Sequence, residues 1–421
     1  MKNRNTFLTI LTAACLSLAA TVHAQETKSH SDAMAAAGHT QHSASVSGGE
    51  GLGGFTFTGY VDALAAYSTA SPNFRGGTRI GNPLLAGSSG GLNLMSPTGL
   101  RPCRANTSTC RDNDLTFLAG EVLLQMQKDF GGKGIAAATL SFAEAGSGTA
   151  GPNETGSTAF ALTVEEAYAG INIAENLNFY MGRYIAPIGI ESVWSNARKN
   201  ITMSNLFAGS LPFYYTGAML AYEPESGPFF KAMIFNDALG TNDDGGVDKG
   251  FSFLAGITQE NMYAGLTWVA SPSTQAGTRK TDWWHLFNLD LTFTADKASI
   301  AFETVYSRNF VSGSDQQWIG AMAIVGFKAT DAVEVGLRAE YNYLDPEFAA
   351  AVGVDPATFG GAPLGSFKGM GLSPFVIYTV TDGLFVRGEY RYDVENPFGG
   401  SKKGAEYGHA HLLGLNLNAT F

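Results

Sequence analysis

Residues 407–421 read YGHAHLLGLNLNATF and end the chain. Leu413, Leu415, Leu417, Ala419 and Phe421 recur at every second position, with Gly414, Asn416, Asn418 and Thr420 between them. Successive side chains of a β-strand point to opposite faces, so this is a strand with one apolar and one polar face. The pattern recurs upstream. In 333–343, Val333, Val335, Leu337, Ala339, Tyr341 and Tyr343 oppose Glu334, Gly336, Arg338, Glu340 and Asn342. In 384–393, Leu384, Val386, Gly388, Tyr390 and Tyr392 oppose Phe385, Arg387, Glu389, Arg391 and Asp393. In 284–294, His285, Phe287, Leu289, Leu291 and Phe293 oppose Asn288, Asp290, Thr292 and Thr294. Segments 161–172 and 372–379 give no clear face.

From Phe55 onward, segments of ten to fourteen residues are separated alternately by short and long breaks. The short breaks fall at 130–133, 174–176, 225–227, 260–261, 295–297, 330–332 and 381–383. The long ones cover roughly 68–113, 146–160, 185–211, 238–249, 271–282, 310–317, 346–369 and 394–407. Seven short and eight long connections join about sixteen strands, the even number and asymmetry of an antiparallel up-and-down barrel in an outer membrane. Such a sheet must close, because an open edge in lipid leaves backbone groups unbonded. A charge facing mid-bilayer costs about 2–4 kcal/mol, so the charged face is expected to line a wet lumen. Tyr67, Tyr180, Tyr184, Tyr214, Tyr215, Trp268, Trp283, Trp284, Trp318, Tyr341, Tyr343, Tyr390 and Tyr392 fall near strand ends and are expected in interfacial girdles.

Charged residues make up only 15% of the 421 residues, and there are 52 glycines. Soluble domains carry about 25% charge, so the composition suits a chain with one wall in lipid. Lys2 and Arg4, the apolar run Phe7–Ala20 and Val22-His23-Ala24 predict a secretory signal over 1–24. Leu11 stands four residues before Cys15, not the three of a lipoprotein signal. Beyond residue 24 no apolar run reaches the roughly 18 residues of a spanning helix. The expected destination is the outer membrane of a Gram-negative bacterium, reached through the periplasm. There Phe421 would serve as the assembly signal and outer-membrane lipids would cover the wall. After cleavage the formal charge is 24 basic minus 37 acidic, or −13, which argues against a nucleic-acid partner.

Residues 25–54 are rich in Ser, Ala, Gly and His and read as a disordered periplasmic leader, with the barrel over 55–421. His30, His39 and His42 are weak metal candidates against an inert linker. Cys103 and Cys110 bracket six residues in a polar stretch and are expected to form a disulfide in an oxidising compartment. The acidic stretch 241–248 offers carboxylates to Ca²⁺ or is simply solvated. Catalysis is not expected, since the barrel carries only His285, His409 and His411, and no cofactor is implied. Expected pore-lining residues are Glu121, Arg183, Lys231, Asp290, Glu303, Arg338, Glu340, Arg387, Glu389 and Arg391. Glu191, Arg198 and Lys199 would join them on the third long loop, about 185–211, if it folds into the lumen rather than over the mouth.

Gly59-Tyr60-Val61-Asp62-Ala63 opens the first strand. Gly182-Arg183-Tyr184, Pro187-Ile188-Gly189 with Glu191, Asn200, Ser204 and Pro212-Phe213-Tyr214-Tyr215-Thr216-Gly217 follow in order. This succession resembles the OmpL-like putative β-barrel porin family from about residue 55 to the end. The long first loop with its cysteines departs from that pattern. The resemblance implies a porin for passive diffusion of small hydrophilic solutes or ions, without catalytic residues. Two other functions stay open: a substrate-specific uptake channel, metal-linked through the leader, and a plugged structural or adhesin barrel. Whether barrels assemble as a homotrimer is also open.

Overall fold

The computed structural model describes residues 54–70, 114–118, 121–145, 159–236, 249–274, 281–311, 314–344, 367–395 and 409–421. Residues 1–53, Cys103, Cys110 and the acidic stretch 241–248 lie outside the described residues.

Alternating side chains give sixteen antiparallel strands in one closed sheet. β1 is Phe55–Ala70, and β2 runs in two pieces, Asp114–Leu118 and Glu121–Asp129. β3 (Gly134–Ala145), β4 (Ala159–Ala174), β5 (Leu177–Ile185), β6 (Tyr214–Tyr222) and β7 (Gly227–Phe235) follow. β8 (Gly250–Gln259), β9 (Met262–Thr274), β10 (Thr281–Ala295), β11 (Ala298–Val311) and β12 (Ser314–Lys328) continue the wall. β13 (Val333–Leu344), β14 (Phe367–Thr381), β15 (Leu384–Glu395) and β16 (His409–Thr420) complete it. Each strand pairs with the next. β1 pairs with β2 on one side and β16 on the other, so no edge remains. Leu64 pairs with Leu118 and Val61 with Val122, so both pieces of β2 lie along β1.

The tight hairpin turns sit where left-handed backbone is affordable to the residue present, at Asn176 (φ 60°) and Gly383 (φ 77°). At the seam, Gly59 and Phe421 exchange both backbone hydrogen bonds at 2.9 Å. A Cβ on Gly59 would lie 2.1 Å from the Leu123 carbonyl oxygen and 2.9 Å from the Phe421 ring, so only glycine lets the last residue close the barrel there.

The faces follow the alternation. Leu413 and Leu415 are 58% and 57% exposed and point outward, with Leu337, Val335, Phe287 and Leu291, while Asn416, Arg338, Glu340, Asn288 and Asp290 point inward and are buried. Leu415→Arg is expected to cost about 2–4 kcal/mol by putting a charge in lipid. A urea titration of the vesicle-embedded barrel, followed by tryptophan emission, would show it as a lower unfolding midpoint.

Two expectations need correction. Tyr184, Tyr214, Tyr215, Trp284 and Trp318 are buried, whereas Tyr67, Trp268 and Tyr390 are exposed as an outer girdle requires. The inner wall is also not uniformly polar: Met219, Phe235, Trp284, Leu286, Val305 and Met322 belong to one apolar cluster inside the barrel. These side chains avoid water because a chain segment packs on them.

Candidate pore constriction

That segment is 186–213, which joins β5 to β6. It carries a 3-10 turn, Ser195–Ala197, and one short helix, α1 (Asn205–Ser210). Its side chains divide by character. Ile188, Ile190, Val193, Trp194, Met203, Leu206, Phe207, Leu211 and Phe213 join the apolar cluster, whose wall members lie mostly on β5–β7 and β9–β12. Its backbone and polar groups meet the charged wall of β13–β15 and β1. One segment reaches β1, β10, β11, β13 and β15 at once, which only a segment inside the ring of strands can do.

Three arginines hold the polar side. Arg338, 1% exposed, bonds Glu191 at 2.7 Å, the Thr202 carbonyl at 2.5 Å and the Thr202 hydroxyl at 2.9 Å. Arg391 donates to the Met203 carbonyl at 2.5 Å and pairs with Glu340 at 3.1 Å and Asp393 at 2.6 Å. Arg387 donates to the carbonyls of Ser195 (2.6 Å) and Arg198 (2.8 Å) and to Asn416. A guanidinium has five fixed N–H donors and no acceptor, so it suits a run of loop carbonyls that lack helical partners. Wall carboxylates complement these contacts. Glu389 accepts the Thr202 N–H and hydroxyl at 2.8 and 2.7 Å, and Glu340 accepts the Leu206 N–H at 3.1 Å. Within the segment, Glu191 accepts from the N–H and hydroxyl of Ser204, whose oxygen in turn caps α1 through the Phe207 N–H at 2.9 Å.

A second hold lies across the lumen. Asp290 and Glu303 are paired residues of β10 and β11 and both are 0% exposed. They accept the N–H groups of Gly189 and Ile190, each at 3.3 Å, and Asn288 donates to Glu303 at 2.7 Å. Gly189 has φ +89°, and a Cβ there would lie 2.6 Å from Leu211. Glycine is therefore what permits the turn that aims two successive N–H groups at the wall.

The other expected residues are placed as follows. Arg198 bonds the carbonyls of Ser192, Val193 and Ile201 within its own segment. Lys199 pairs with Glu334 at 2.5 Å and donates to Ser299. Lys231 pairs with Glu223 at 2.6 Å, near the β6–β7 turn. Glu121 accepts from the Tyr60 hydroxyl. Arg183 is half-buried, lies 4.4 Å over the Tyr214 ring and donates to the Glu165 carbonyl. The wall arginines and their acids thus come together around the segment, while Arg183 and Lys231 lie apart from them. Sequence reading missed Asp62, which bonds Ser195 and Asn416, and the buried neighbours Glu165 and Glu166. Asp62 stands on the inward parity of Tyr60 and was legible. Glu165 was not, because a bulge at Thr139/Leu140 breaks the alternation of β4. Among the described residues, cavities of about 340 Å³ and 250 Å³ lie on the short-turn side of the segment.

The family model described as "Putative beta-barrel porin-2, OmpL-like" matches residues 54–421. The chain belongs to that family. It is a porin of the Gram-negative outer membrane, a channel for passive solute diffusion. No curated protein matches the sequence. Among solved structures, the outer-membrane channel DcaP of Acinetobacter baumannii superposes with a TM-score of 0.55 at 12% identity, covering 87% of this chain and 97% of that one. An anion-selective porin from Comamonas acidovorans gives 0.54 at 12% identity, covering 87% and 99%. A loop-deletion mutant of the Vibrio cholerae outer-membrane protein OmpT gives 0.52 at 12%, again covering 87% and 99%. At such identity these likenesses establish this OmpL-like porin's fold alone.

Proposed function

We propose that this porin passes small hydrophilic solutes through a lumen narrowed by segment 186–213, and that it prefers cations. The observation behind the preference is the imbalance of inner charges. Asp62, Glu121, Glu165, Glu166 and Glu303 take part in no ion pair among the described residues and accept hydrogen bonds from neutral donors. Only Arg183, Arg198 and Arg387 stand similarly without a carboxylate partner among the described arginines of this region, and they bond carbonyls and Asn416. Carboxyl groups thus outnumber guanidiniums among these unpaired residues by five to three; to the extent that they ionise the lumen is acidic, and charge in a narrow pore selects solutes by sign. Expected pore residues that are ion-paired, such as Arg338 and Glu191, would set width more than field.

In planar bilayers under a KCl gradient the reversal potential is expected on the potassium side of zero. A reversal potential on the chloride side would overturn the preference. Absence of conducting steps from folded protein would mean instead that segment 186–213 closes the lumen.

We further propose that 1–24 is a cleaved export signal, that Phe421 is the assembly signal, that Cys103 and Cys110 form a disulfide in the first outer loop and that the barrels assemble as homotrimers in the membrane. The exposed apolar belt of Leu413, Leu415, Leu417 and Phe253 supports contact with outer-membrane lipid.

A further inference from the structure

The larger cavity, about 340 Å³, is walled by rings and carboxylates together: Tyr180, Tyr184, Phe229 and Tyr263 with Glu166 and Glu223. Its volume lies at the lower end of the roughly 300–1,000 Å³ range of small-ligand sites. Phe229 and Tyr263 stack at 5.4 Å and form a continuous aromatic wall. Glu223 is neutralised by Lys231 at 2.6 Å. Glu166, 1% exposed, is not ion-paired among the described residues; the Ile185 N–H and the Thr139 hydroxyl bond it, and nearby Arg183 donates to the Glu165 carbonyl instead.

We infer that this cavity is a binding subsite for a small organic ammonium ion. The ring faces supply the negative side of their quadrupoles to the cation, as aromatic cages do for quaternary ammonium groups. Glu166 supplies the countercharge. The inference deepens the cation-preferring reading and rests on it for the route of entry.

The test is titration calorimetry of the full folded chain in detergent micelles with choline as the probe and glucose as the uncharged comparison. Saturable choline binding without glucose binding is expected. Glu166→Gln is expected to weaken it by roughly tenfold or more, and Phe229→Leu to weaken it as well, each variant first shown to be folded by its heat-modifiable gel mobility. Absence of choline binding, glucose binding in its place, or unchanged affinity in both variants would overturn the inference. Bilayer recordings on the same preparation separate the two readings. Cation-selective steps without choline binding remove the subsite and leave the pore, while choline binding by a barrel that conducts nothing keeps the subsite and removes the pore.

Discussion

Arg338→Met should destabilise the barrel by about 3–5 kcal/mol and turn a quiet channel into a noisy one of higher conductance. The magnitude is that of removing one partner from a buried ion pair. Glu191 and Glu389 would stay in place, buried, with their cation gone. The Thr202 carbonyl and hydroxyl would lose their donors in the same step. The segment would keep its apolar grip on β5–β7 and β9–β12 and its hold on Arg387 and Arg391, so release would be local, around 191–204. Removing Glu191 as well, as Arg338→Met with Glu191→Leu, should cost less than the sum of the two single changes, because the pair is lost with its desolvation penalty. Urea midpoints in lipid vesicles and single-channel recordings read both effects. A single variant with wild-type midpoint and wild-type current would show that Arg338 does not clamp the segment.

The second large effect is on selectivity. Glu121→Gln, Glu165→Gln and Glu166→Gln in one chain should lower the potassium-to-chloride permeability ratio several-fold. Glutamine keeps the shape and an acceptor oxygen for Tyr60, Ser141 and Thr139, so the wall should remain built. Only the charge leaves. A unit charge roughly 10 Å from a permeating ion contributes about 1.7 kcal/mol at an effective dielectric near 20. Mobile ions reduce this over a Debye length of about 10 Å at 0.1 M, so the drop should be larger in dilute salt. An unchanged reversal potential would mean that these carboxylates do not set the field.

The strands were legible because lipid enforces alternation. Where an outward charge is expensive, every second residue declares its side, as Val335, Leu337, Arg338 and Glu340 do. Phe421 and the short turns were legible for similar local reasons. What the lumen contains was less so. The sequence suggested water opposite the charges, yet Trp284 and Leu286 share the inner face with Asn288 and Asp290, because an amphipathic segment from another part of the chain covers them. Segment 372–379 had no clear face for the same reason: Ser373 and Phe375 both point inward, one toward Arg338 and the other into the apolar cluster. The residue types of the constriction could be picked out singly. Their partnerships could not, since Arg338 meets Glu191 across 147 positions of sequence and nothing local records it.

The most direct measurement is a cross-link between segment and wall. Asp62 of β1 and Ser195 are in side-chain contact. With Cys103 and Cys110 changed to serine, Asp62→Cys with Ser195→Cys should form a disulfide under mild oxidation, seen as a faster-moving band on a non-reducing gel. Channel conductance should be the same before and after reduction, because the bond locks a position the segment already holds. A folded barrel that fails to form the bond, or whose conductance rises on reduction, would contradict a segment docked inside the lumen.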